Sequence, residues 1–90
     1  MDKLTTMKTF VSVVQEGSFS KAADKLDISP QLVSKYVSAL EEGLSTRLLH
    51  RTTRKVSTTE AGDHYFTRCL QVLGDIDDIE NSLNNLSENV

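Results

Sequence analysis

The stretch "ISPQLVSKYVSALEE", Ile28–Glu42, decides the fold. It holds the chain's only proline, Pro30, directly after Ser29. Serine is a favoured helix N-cap, and proline fits the first helical position because its missing N–H needs no partner there. Apolar residues then recur at Val33, Val37, Leu40 and Leu44, the spacing of one helical face. At about 100° per residue, Tyr36 joins Val33, Val37 and Leu40 on one arc, while Gln31, Ser34, Lys35 and Ser38 share the opposite arc. The spacing predicts a helix from Ser29-Pro30 to about Glu42, stopped by Gly43, with a core face and a polar, partly basic leading face.

Working outward towards the N-terminus, a short helix over about Lys21–Leu26 is expected. Ser20 serves as its cap, Phe19 sits at the staple position, and Ala22 and Ala23 permit close backbone approach. Only Asp27-Ile28-Ser29 separates it from the next helix, which leaves a tight turn. A first helix spans about Lys3–Gln15. Asp2 is expected to cap it by accepting backbone N–H groups, Gly17 ends it, and Leu4, Met7, Val11 and Val14 recur at helical spacing beside Phe10. Two helices joined by a tight turn, the second with a polar leading face, form a helix-turn-helix. In that motif the N-terminal residues of the second helix meet base edges in the DNA major groove. Lys, Gln and Ser side chains suit the acceptors displayed there.

Towards the C-terminus, "RLLHRTTRKVSTT" is short and rich in β-branched residues. It predicts two strands, about Leu48–Arg51 and Val56–Thr58, joined by Thr52–Lys55. Arg51, Arg54 and Lys55 would make this a basic wing on the backbone or minor groove. A final helix runs from about Thr59-Glu60 to Leu86. On it Cys69, Val72, Ile76, Ile79, Leu83, Leu86 and Val90 follow a 3, 4, 3, 4 spacing, and Tyr65 extends it backwards. That is a heptad seam. Phe66, Leu70 and Leu73 add a second apolar strip in the first half only. The preceding head is too small to cover a helix of roughly 40 Å, so the seam predicts a homodimer, and two-fold symmetry suits a pseudo-palindromic site.

Ninety residues fit one small domain. The net charge of −3 conceals a division: residues 1–56 carry +3 and residues 57–90 carry −6. Gly43–Lys55 holds four positive charges and no acid, and local charge decides where an anion docks. One cysteine excludes an internal disulfide and fits a reducing, cytoplasmic setting. No apolar run approaches a membrane span.

These residues resemble a known family. "FVSVVQEGSFSKAADKLDISPQLVSKYVSALEE" followed by "LSTRLLHRTTRKVSTTEAG" looks like the DNA-binding domain of LysR-type transcriptional regulators. Gly17–Ser20, Ala22-Ala23, Val33-Ser34, Leu40–Glu42, Arg47–Leu49, Arg51-Thr52 and Thr59–Gly62 fall in register over about Leu4–Gly62. The resemblance implies a bacterial regulator with a mainly α, winged helix-turn-helix domain over residues 1–58 and a linker, or dimerisation, helix over 59–90. It implies an effector-binding domain absent from these residues, which favours reading them as part of a longer chain. Any small-molecule effector would bind only that absent domain. Family contacts, carried over, fall on Ser29, Pro30, Gln31, Ser34, Lys35 and Arg54. Many members have Gln-Pro where this chain has Pro30-Gln31, Arg where it has Lys35, and Gly where it has Ser45. Lysine cannot make arginine's bidentate fork to guanine, so the operator does not transfer.

Blander readings stand beside these. Polar residues on an exposed helix face are by default solvated, and Ser38 lies further along the helix than the rest. Arg47 fits pairing with Glu41 or Glu42 better than reaching phosphate. His50 and His64 lack ligand spacing, and Cys69 has no second cysteine, so no metal, cofactor or catalytic residue is expected. Cys69 is most simply a small apolar group on the seam. The rival function is a winged-helix protein-interaction module with the acidic helix as its active surface.

Overall fold

The structure, a computed structural model, describes residues 2–50 and 55–88. Its first helix, α1 (Lys3–Glu16), has Asp2 at the N-cap position in extended geometry. The Asp2 carboxylate accepts from the Thr5 hydroxyl at 3.0 Å and makes no bond to a backbone N–H. Gly17 closes the helix at φ 69°, its N–H returning to the Val13 carbonyl at 2.9 Å. Glycine adopts this left-handed geometry without the Cβ clash that other residues meet.

The second helix, α2 (Phe19–Leu26), begins two residues earlier than its pattern suggests. Ser18, not Ser20, is the cap: its Oγ accepts from the Lys21 N–H at 3.3 Å. The left-handed turn at Gly17 is followed at once by extended backbone at Ser18, and the helix starts on the next residue. Asp27 ends α2 at φ 59°, and the Ile28 N–H reaches the Ala23 carbonyl at 3.1 Å.

The third helix, α3 (Pro30–Leu44), opens as its sequence predicts. Ser29 is the cap, accepting from the Leu32 N–H at 3.1 Å, with Pro30 in the first turn. Gly43 does not stop it. The helix runs through the glycine and ends on Ser45 at φ 51°, with the Ser45 and Thr46 N–H groups bonded back to Glu42 and Glu41 carbonyls at 3.1 Å. A serine held there meets the left-handed penalty, of order 1 kcal/mol.

These three helices pack on one another around Phe10 and Val13 of α1, Ala22 and Ala23 of α2, and Val33, Val37 and Leu40 of α3. The small Ala22-Ala23 pair lets α2 sit close, and Leu48 and Leu49 close the core from below. Thr6 and Thr9 are also buried, and each hydroxyl donates to a carbonyl one turn back in α1 at 2.8 Å, to Lys3 and Thr5 respectively. This satisfies groups that burial would otherwise penalise.

Two strands were expected after α3. Among the described residues there is no strand, only an isolated antiparallel bridge between Leu49 and Thr58. His50 donates to the Ser57 carbonyl and Thr59 to the Leu48 carbonyl, each at 3.0 Å. The Leu48 and Leu49 N–H groups donate to the Glu41 carboxylate, at 2.7 and 3.2 Å. Arg51, the end of the first expected strand, and Thr52, Thr53 and Arg54 of the expected tip lie outside the described residues.

The fourth helix, α4 (Glu60–Glu88), is capped by Thr59, whose Oγ1 accepts from the Gly62 N–H at 2.9 Å and donates to the Arg47 carbonyl at 2.7 Å. Glu60 and Asp63 complement the positive end of its dipole. Gly62 is required by contact, since a Cβ there would stand 2.0 Å from the Leu48 carbonyl oxygen. The first turns of α4 pack on α1, with the Tyr65 and Phe10 rings 5.9 Å apart at 58°. The helix then continues past the head, and the molecule measures 54 × 25 × 22 Å.

Candidate nucleic-acid interface

The α2–α3 turn presents the start of α3 outward. Ser29, Pro30, Gln31, Ser34 and Lys35 are all exposed, whereas Ser38, one turn on, is half-buried and engaged in a further interaction. The opposite face, Val33, Val37 and Leu40, is sealed in the core, so packing fixes which side of α3 faces solvent. Ser29, Gln31, Ser34 and Lys35 thus put polar side chains at an exposed helix N-terminus, where backbone N–H groups and the dipole favour an anion. Lys35 is the charged one among them.

Of the basic residues expected in the wing, Lys55 is described; it is exposed and also has an interaction partner. Arg47 behaves as its spacing suggested. Its guanidinium, itself largely exposed, lies 3.9 Å from Oε1 of the buried Glu41, a loose pair. His50 and His64 are exposed, and the described residues contain no cluster of groups that could hold a metal ion.

The sequence pointed to Glu41 only as a partner for Arg47, yet it is 7% exposed and ties α3 to the segment that follows. A signal existed: Glu41 lies four residues after Val37, on the apolar side of the helix, where an acid must find partners.

The expected dimerisation seam divides along α4. Cys69 is buried and Tyr65 half-buried, both turned to the head of their own chain. Burial raises both their pKa values: for Tyr65 the neighbouring Cys69 adds to it, and for Cys69 the hydrogen bond to Tyr65 partly opposes it. Ile76 is half-buried. Val72, Ile79, Leu83 and Leu86 are 44, 62, 60 and 64% exposed, and Leu70 beside them is 41% exposed. No described helix is long and apolar enough to cross a membrane.

The architecture defines a helix-turn-helix head carried on a long helix. Residues 4–63 match the family described as bacterial regulatory helix-turn-helix protein, lysR family, and the chain belongs to that family. It is 52% identical over 83 residues to an HTH-type transcriptional repressor of Pseudomonas aeruginosa, covering 92% of this chain and 26% of that protein. It is 40% identical over 83 residues to the HTH-type transcriptional activator AaeR of Escherichia coli, covering 92% of this chain and 27% of that one. The chain thus spans about a quarter of the length of these relatives. Among solved structures, the BenM_DBD/catB site 1 DNA complex superposes with a TM-score of 0.91 at 36% identity, covering 97% of this chain and 96% of that one. CrgA of Neisseria meningitidis, described as a LysR-type transcriptional regulator, superposes at 0.79 with 40% identity, covering 93% and 29%.

Proposed function

We propose that this chain binds double-stranded DNA sequence-specifically and regulates transcription, acting in the cytoplasm as a homodimer. The N-terminal end of α3 enters the major groove, where Gln31, Ser34 and Lys35 read base edges and Ser29 and Pro30 approach the backbone, with Ser38 at the margin. The segment after α3 acts as the wing, its Arg51, Arg54 and Lys55 on phosphates or the minor groove. The exposed part of α4 pairs two chains through Val72, Ile76, Ile79, Leu83 and Leu86, so the preferred site is pseudo-palindromic. Residues 1–58 are the winged head and 59–90 the linker helix. Any small-molecule effector is bound by a domain outside these residues.

One observation carries the reading: the exposed polar start of α3 is held by a buried face that leaves it no other orientation. The superposition on a DNA-bound relative supports it. The test begins with selection from a random duplex library, followed by fluorescence anisotropy across a salt series. Lys35→Ala is expected to weaken the selected duplex by about 1–3 kcal/mol and to relax preference at one base position. Unchanged affinity and unchanged preference would remove Lys35 from the interface. Failure of the wild-type chain to bind any duplex at low salt would favour a protein-interaction module instead.

A further inference from the structure

Among the described residues α3 packs on α1 and α2, and α4 packs on α1, but α3 and α4 do not pack on each other. The residues Arg47–Leu49 bridge them. On one side, the N–H groups of Leu48 and Leu49 donate to Glu41 of α3, at 2.7 and 3.2 Å. On the other, the carbonyls of Arg47 and Leu48 accept from Thr59 at the start of α4, from its hydroxyl at 2.7 Å and its N–H at 3.0 Å. Gly62 presses against the same Leu48 carbonyl with no room for a side chain. This short run of backbone therefore forms a strut whose donors are fixed by α3 and whose acceptors are fixed by α4. Leu48 and Leu49 side chains, each 1% exposed, lock it into the core.

We propose that Glu41 is the positioning residue that fixes the angle between the recognition helix and α4, and so sets which half-site spacing a dimer of this chain accepts. The inference rests on the DNA-binding, dimeric reading above. A carboxylate suits the task because one of its oxygens accepts both N–H groups, and charge-assisted bonds to backbone are short and directional. Two recognition helices held at a fixed angle to a shared α4 pair meet the duplex at one centre-to-centre distance, which is how dimeric helix-turn-helix proteins select spacing. Loosening the strut leaves each α3 intact and lets the distance vary.

The test uses the wild-type-selected inverted repeat, the same repeat with one or two base pairs inserted or removed at its centre, and a duplex carrying a single half-site. Wild-type protein is expected to discriminate against altered spacing by about tenfold or more, the scale of one mismatched pair or greater. Glu41→Ala is expected to cut that discrimination to within about threefold while single half-site affinity stays within about twofold. Glu41→Gln, which keeps one oxygen able to accept both N–H groups, restores it. Thr59→Val removes the hydroxyl bond to the Arg47 carbonyl on the α4 side, keeping the Thr59 N–H bond to Leu48, and must relax spacing in the same direction, which keeps the test decisive if Glu41→Ala fails to fold. Folded variants that retain wild-type spacing discrimination, or that lose half-site binding in step with it, overturn the role of Glu41 alone. Wild-type protein that binds none of the duplexes overturns the DNA-binding reading itself.

Discussion

Phe10 and Leu83 are both large apolar residues at regular helical spacing, and their surroundings differ completely. Phe10 is fully buried between three helices, whereas Leu83 is 60% exposed on the far part of α4. The head closes its own core. The far part of α4 keeps the same kind of apolar pattern, and its large apolar residues stay exposed among the described residues. The contrast teaches that periodicity reports that a face will be covered, and that chain length and packing decide by what. A 29-residue helix reaches about 43 Å, well beyond a three-helix head.

The largest effect that tests this contrast is in the core. Phe10→Ala is expected to lower head stability by about 3–5 kcal/mol in urea denaturation. Leu83→Ala should leave the head within about 0.5 kcal/mol of wild type while weakening self-association, read by sedimentation, at least about tenfold. Equal losses of head stability from the two would mean that α4 folds back onto its own head.

Next comes the junction between the regions. Gly62→Ala forces a Cβ against backbone, which has no rotamer to move, and is expected to cost about 3 kcal/mol. Gly74, on the exposed part of α4, has open space where a Cβ would stand, with nothing within 4 Å, so Gly74→Ala should stabilise by up to about 1 kcal/mol. The pair separates a glycine needed for contact from one that is merely present.

A smaller effect is set by pH. The Cys69 thiol, its pKa raised by burial, favours the protonated form in the folded head. Its contribution is fully present below the unfolded-state pKa and is lost as pH rises through the folded one, so thermal stability should fall above roughly pH 8.5. Tyr65, raised in the same direction, extends the fall to higher pH. Cys69→Ala should blunt the first part of that decline in a pH series of melting curves. A decline identical in both proteins would place its origin elsewhere.

The smallest effect is at the end of α3. Ser45→Gly removes the left-handed penalty at φ 51° and should stabilise the head by about 0.5–1 kcal/mol, measured by the same urea titration.

Much of this architecture was legible in the chain. Ser29-Pro30 marked the start of α3, Gly17 the end of α1, and Val33, Val37 and Leu40 the buried arc. Where the reading failed, two residues competed for one role. Ser18 and Ser20 both suit a cap, and only backbone geometry after Gly17 chooses between them. Gly43 and Ser45 both stand near the end of α3, and the glycine is absorbed into the helix. Of the strand pairing expected at Leu48–Arg51, the described residues show one antiparallel bridge, Leu49 with Thr58, and the Leu48 and Leu49 N–H groups are taken by a side chain seven and eight residues earlier, a pairing that periodicity does not record. The candidate interface was legible as a polar arc. Glu41 was legible only as a partner for Arg47, since a charge on the apolar side of a helix reads as an exception until its partners are seen.

The proposed division, a head that reads a groove and a helix that pairs two heads, is tested most directly by sedimentation of the wild-type chain with its selected inverted-repeat duplex. Two chains per duplex, with log affinity falling steeply and linearly with log salt, is the expected result. One chain per duplex, with the free protein monomeric at the same concentration, would contradict it.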